Sequence, residues 1–80
     1  MDVSAKVREF IRGSFLVDDF ADGDSFLATG LIDSLGMIQL VAFVESEFGL
    51  PVQESELVPE NFDSVVNITA FVTKKRARAA

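Results

Sequence analysis

The stretch Gly30 to Pro51, GLIDSLGMIQLVAFVESEFGLP, constrains this chain most, because it spells out both ends of one helix. Asp33 is suited to the N-cap: its carboxylate can accept first-turn N–H groups that have no intrahelical acceptor. Ser34 then takes the first helical position. At the other end Gly49 can adopt the left-handed conformation that closes a helix, Leu50 can fold back on the last turn, and Pro51 cannot continue it. About four turns lie between the caps. At about 100° per residue, Met37, Leu40, Val41, Val44 and Phe48 share one arc with Ile38 at its margin, while Gly36, Gln39, Ser46 and Glu47 take the polar side. Leu35, Ala42 and Phe43 fall outside the arc, so the helix has more apolar surface than one core face needs. Part of that surface is expected to meet a partner.

The chain has neither Cys nor His. That removes disulfides, thiol chemistry, Ser–His and Cys–His nucleophilic pairs, and the commonest general base and zinc ligands. No catalytic residue and no metal site is predicted. With 80 residues, 49 % of them hydrophobic and eight of them Phe, one domain over residues 1–80 can build a core and must rely on it. No amino-terminal signal pattern is present, and no apolar run approaches the roughly 18 residues of a membrane span. A soluble, cytoplasmic monomer is expected.

Charge is segregated along the chain. Lys6, Arg8 and Arg12 lie near one end and Lys74, Lys75, Arg76 and Arg78 near the other, with no Lys or Arg between Gly13 and Thr73. That interval holds eleven of the thirteen acids. Such a field disfavours nucleic acid and favours a basic protein surface.

Ahead of the central helix, Val3, Val7, Phe10 and Ile11 follow helical spacing behind a cap at Asp2 or Ser4, and this helix should end between Gly13 and Leu16. Val17 to Ile32 sustains no period and reads as a long ordered loop, anchored by Phe20, Phe26, Leu27, Leu31 and Ile32, with a short turn starting at Asp24 or Ser25. Asp18, Asp22 and Gly23 match three positions of a calcium loop, but Phe20 and Thr29 stand where ligands are required, so solvated turn acids are the better account. After Pro51, Pro59 and Glu60 suit the start of a short helix. Asp63 can cap a last helix with the stripe Val65, Ile68, Phe71 and Val72; beyond it the basic tail, residues 76–80, is expected to fray.

These residues resemble the acyl carrier protein family, including its peptidyl and aminoacyl carriers. The family's phosphopantetheine attachment motif, Asp-Ser-Leu at the start of the second helix after a Gly-hydrophobic-hydrophobic lead-in, stands here as Asp33-Ser34-Leu35 after Gly30-Leu31-Ile32. The layout from about Val3 to Lys75 fits as well. The resemblance implies a non-catalytic carrier: a phosphopantetheinyl transferase moves 4′-phosphopantetheine from coenzyme A to Ser34, with Asp33 and Leu35 presenting it. Leu35, Met37, Ile38 and Ala42 would form the apolar centre of a docking surface, with Glu45 and Glu47 as its charged rim. It further implies thioester cargo, loaded by an acyl- or aminoacyl-activating ligase and passed to acyl-transferring or condensing enzymes of fatty acid, polyketide or nonribosomal peptide biosynthesis. Gln39 and Ser46 depart from positions commonly acidic in fatty-acid carriers. The Asp-Ser-Leu-Gly-Met run and the Glu-Phe-Gly stop look closer to stand-alone carriers paired with an adenylate-forming ligase, aminoacyl and D-alanyl carriers among them.

The fold expected is all-α, a four-helix bundle of acyl-carrier type with three longer helices, one short third helix and a long loop between the first two. The competing function is an unmodified acidic helical adaptor for a basic or hydrophobic protein partner. It accounts for the charge and the surplus apolar surface, but not for a capped serine behind a long loop.

Overall fold

The computed structural model describes residues 2–17 and 19–79, the last of these as backbone only. Asp18, first position of the calcium-loop pattern, and Ala80, at the end of the basic tail, lie outside the described residues. All regular structure among the described residues is helical. The expected bundle with three long helices is present, and two further single-turn segments refine it.

Helix α1 (Val3–Phe15) starts at Asp2, whose carboxylate accepts the Ser4 N–H at 3.2 Å. It ends at Leu16, which takes the left-handed conformation, φ 55°, while its side chain stays 88 % exposed. A leucine is strained there because its Cβ crowds the neighbouring carbonyl. The loop that follows is pinned to α1 by Arg8, which pairs with Asp22 at 2.6 Å and lies over the buried Phe20 ring at 4.3 Å. Within it Ser25 caps a single turn, α2 (Phe26–Thr29), by accepting the Ala28 N–H at 3.1 Å. Phe26 plugs that turn into the core.

Helix α3 (Ser34–Phe48) has the caps that its sequence predicts, Asp33 at one end and Gly49 at φ 63° at the other. After it, the expected short third helix is divided into a 3₁₀ turn, Glu54–Glu56, and a single turn α4 (Pro59–Phe62). Proline explains the break: it disfavours helical geometry in the preceding residue, and Val58 is extended at φ −128°, ψ 152°. Helix α5 (Val65–Ala79) includes Arg76 and Arg78 of the basic tail. Its cap differs from the expectation. Ser64 accepts the Asn67 N–H at 3.0 Å, whereas Asp63, one residue too early, turns its carboxylate to the Leu27 N–H at 2.9 Å and to the Ser25 hydroxyl.

These contacts define the topology. Phe15 reaches the start of α3 at Gly36, and Lys6 reaches its end at Glu47, so α1 and α3 are antiparallel. The start of α5 is tied to the α2 loop by the Phe26 N–H to Asp63 carbonyl and Val66 N–H to Asp22 carbonyl bonds. Its end meets the far end of α3, where Arg76 lies over Phe48. Helices α3 and α5 therefore run in the same direction.

The core lies between the long helices and is closed by α2 and α4. Val7, Ile11, Phe26, Leu40, Val44, Val65, Ile68 and Val72 are fully buried. Each such side chain contributes about 1.5–3 kcal/mol relative to exposure. Two placements differ from the sequence-based arc. Gly36, expected on the polar side, is buried, because its bare Cα is where α1 closes on α3. Phe43, expected outside the arc, stacks on Phe10 with ring centroids 4.1 Å apart. Its surplus apolar surface is thus covered by α1.

Candidate functional site

Ser34 is exposed at the first position of α3, and local chemistry holds it there from both sides. Upstream, Gly30 closes α2 at φ 75°, and Ile32 is buried with its N–H on the Phe26 carbonyl at 3.3 Å. Asp33 is extended, its carboxylate accepts the Gly36 N–H at 2.8 Å, and its carbonyl accepts the Met37 N–H at 2.9 Å. Downstream, Gly36 rests against Ile32 and α1: a Cβ there would lie 2.7 Å from Ile32 Cγ2 and 2.9 Å from Phe15. The serine hydroxyl is thus presented to solvent by a helix start that is itself wedged into the core.

A groove of about 450 Å³ runs from Ser34 along α3. Met37, Ile38, Val41, Ala42 and Glu45 form its α3 side, and Leu27, Leu57, Val58, Pro59 and Phe62 form the opposite wall. That wall is staked down by Glu56, which accepts the Gln53 N–H at 2.8 Å and pairs with Lys75. The two contacts, the Gln53 N–H first, hold the Glu56 carboxyl below its ordinary value of 4.5.

The structure brings together most residues singled out from the sequence. Ser34, Met37, Ile38, Ala42 and Glu45 share the groove, and Leu35 stands beside it, 67 % exposed. Glu47 lies elsewhere, paired with Lys6 at 2.7 Å over a second groove between α1 and α3. Sequence reasoning missed the opposite wall. The available signal was Leu57-Val58 before Pro59, an apolar pair too short for a period. Among the described residues no three His, Cys, Asp or Glu side chains gather as a metal site, and no helix is long and apolar enough to cross a membrane.

A phosphopantetheine group fits these residues. Its attachment needs an accessible hydroxyl, which Ser34 supplies; its phosphodiester needs N–H groups and positive potential, which the first turn of α3 supplies; its largely uncharged arm needs an adjacent apolar channel.

The described residues thus form a small helical bundle with one capped, exposed serine beside an apolar groove. Comparison with known proteins gives the class its family. No protein-family model matches the chain. It is, however, 37 % identical to a D-alanyl carrier protein of Streptococcus thermophilus over 78 residues, 95 % of this chain and 98 % of the relative. Over the same shares of both chains it is 35 % identical to the D-alanyl carrier protein of Streptococcus sanguinis and 31 % identical to that of Streptococcus mutans. The chain belongs to the acyl carrier protein family, and it is a carrier and not an enzyme.

Proposed function

We propose that the protein is phosphopantetheinylated on Ser34 and carries an aminoacyl group, D-alanyl by analogy with its relatives, after loading by an adenylate-forming ligase. The observation that carries this reading is the exposed Ser34 hydroxyl at the N-terminus of α3, next to the Asp33 cap and at the end of an apolar groove. In the attachment step Ser34 Oγ forms a bond to the phosphorus that bears the pantetheine of coenzyme A. The pyrophosphate bond breaks, adenosine 3′,5′-bisphosphate leaves, and the serine proton passes to a base of the transferase. Once attached, the arm supplies the thiol that this chain lacks, and the cargo is held there as a thioester.

The remaining roles fall to residues already in place. Asp33 fixes the first turn, so Ser34 meets the transferase in one orientation, and the unpartnered N–H groups of that turn favour the phosphodiester anion. Leu35, Met37, Ile38 and Ala42 form the apolar centre of the docking surface for transferase, ligase and downstream acyl-transferring enzymes. Glu45 on the groove side and Glu47 on the α1 side are its acidic rim, which steers encounter more than it adds affinity. Coenzyme A as donor and an ATP-driven ligase put this cycle in the cytoplasm.

Intact mass spectrometry before and after incubation with coenzyme A, Mg²⁺ and a broad-specificity phosphopantetheinyl transferase tests the reading. One added arm that maps to Ser34 is expected, and none in Ser34→Ala, whose melting temperature should stay close to that of the parent because an exposed site away from packing moves stability by less than about 0.5 kcal/mol. A folded parent protein that gains no mass would leave the acidic adaptor as the function. Loading of the holo form by a D-alanine-activating ligase, against a panel of other acyl and aminoacyl donors, then tests the cargo.

A further inference from the structure

We propose that Glu45 is a cargo-recognition residue: its carboxylate receives the α-ammonium group of an aminoacyl cargo whose arm lies along the α3 groove from Ser34. The inference rests on the reading that Ser34 bears the arm. Three observations on the chain's own residues carry it.

The first is register. Ser34, Ile38, Val41 and Glu45 all line the groove and are spaced i, i+4, i+7, i+11, so they form one straight stripe on α3. Eleven residues make three turns, about 16 Å of axial rise. The arm has as many bonds from Ser34 Oγ to its sulfur as about five extended backbone residues, a reach of about 17 Å. An arm laid in the groove therefore delivers its cargo beside Glu45.

The second is chemistry. Glu45 is the one ionisable side chain that lines this groove among the described residues; every other lining residue is apolar except Ser34. The third is that this carboxylate is held but not neutralised. Its Oε2 accepts the Val52 N–H at 2.9 Å, which fixes its position just past the α3 C-cap, and its other oxygen has no protein partner among the described residues. Glu47, two residues on and about 160° around the helix, contrasts with it, because Lys6 neutralises that charge. Arg8 and Lys75 are likewise engaged with Asp22 and Glu56. A fixed, uncompensated carboxylate at the end of an apolar channel complements a short cargo with one cation. A plain acyl chain has no group to offer it.

The test uses carrier loaded at Ser34 from coenzyme A analogues that end in a stable D-alanyl amide, a propionyl amide or the bare arm. Intact mass establishes loading before amide ¹H–¹⁵N spectra of the three forms are compared. The Glu45 and Val52 amides are expected to shift between the D-alanyl and propionyl forms, which differ only in the ammonium group, and Glu45→Gln should abolish that difference. Coincident Glu45 and Val52 signals in the two forms would overturn the inference. So would a Glu45 signal that moves only when the ligase is added, which would assign the carboxylate to a partner's cation. Absence of the mass gain overturns the Ser34 reading and this inference with it, so the two failures are distinguishable.

Discussion

On the face of α3 that turns toward α1, Gly36, Leu40 and Val44 are buried and Phe43 is stacked on Phe10; on the groove side, Ile38 keeps 67 % of its surface exposed and Ala42 is open to solvent. Both faces are apolar, so hydrophobicity alone does not tell them apart. What separates them is the neighbour each one finds. Gly36 lets α1 approach so closely that a Cβ there would lie 2.9 Å from Phe15, and the inner face is closed. The outer face looks across a groove at Leu57 and Val58, in the link after the 3₁₀ turn, and at Pro59, which starts the single turn α4, rather than at a long helix. The inner face holds the fold, and the outer face stays open to solvent, where we propose that partners dock. The two glutamates follow the same division: Glu47 is tied to α1 by Lys6, and Glu45 is held on the groove by the Val52 N–H.

Truncation on the two faces gives the largest contrast. Leu40→Ala should cost about 2–5 kcal/mol, a large share of the roughly 4–12 kcal/mol expected for a domain of this size. Ile38→Ala should change stability by less than about 0.5 kcal/mol while it lowers kcat/KM for the transferase or the ligase. Urea denaturation and loading kinetics on the two variants check this, and equal losses of stability would erase the distinction between the faces.

The glycines sharpen it at smaller scale. Gly36→Ala should destabilise by about 1–3 kcal/mol, because the added methyl meets Ile32 Cγ2 at 2.7 Å. Gly13→Ala in α1, with nothing within 4 Å of the new Cβ, should stabilise by about 0.5–1 kcal/mol through helix propensity. A stabilised Gly36→Ala would mean that α1 and α3 are not in close contact at Ser34.

The smallest effect belongs to the groove's outer wall and is read through pH. Because the Gln53 N–H and Lys75 lower the folded-state pKa of Glu56 below 4.5, its contribution to stability is fully present above the unfolded value and is lost as pH falls through the folded one. Melting temperatures of the parent and Glu56→Gln should therefore differ by a constant amount near neutrality and converge as the pH drops below 4.5. A gap that persists unchanged into strong acid would mean that the pair does not anchor the wall.

Much of the site was legible because its determinants are local. Asp33 and Gly49 cap α3 through bonds made within a few residues of themselves, and a pattern of residue types suffices to read such bonds. Asp2 and Ser25 were legible as possible starts for the same reason. The fold around the site was harder. Met37, Leu40, Val41, Val44 and Phe48 share one arc with Ile38 at its margin, yet they part in the fold: Leu40 and Val44 enter the core, while Val41 lines the groove with Ile38. Asp63 was a plausible cap by type, but Ser64 takes that place because α5 begins one residue later, and Asp63 reaches 36 positions back to Leu27.

By itself, then, the sequence determined both caps of α3, the exposure-prone position of Ser34, the exclusion of Cys- and His-based chemistry and the resemblance to carrier proteins, because each depends on residue type or on bonds between near neighbours. Only the tertiary structure decided which apolar face of α3 is buried, that Gly36 is a contact point and not a polar-side residue, and that Glu45 and Glu47 belong to different grooves. Those outcomes depend on which distant segment arrives at each face, and that choice is made by packing complementarity among residues scattered along the chain.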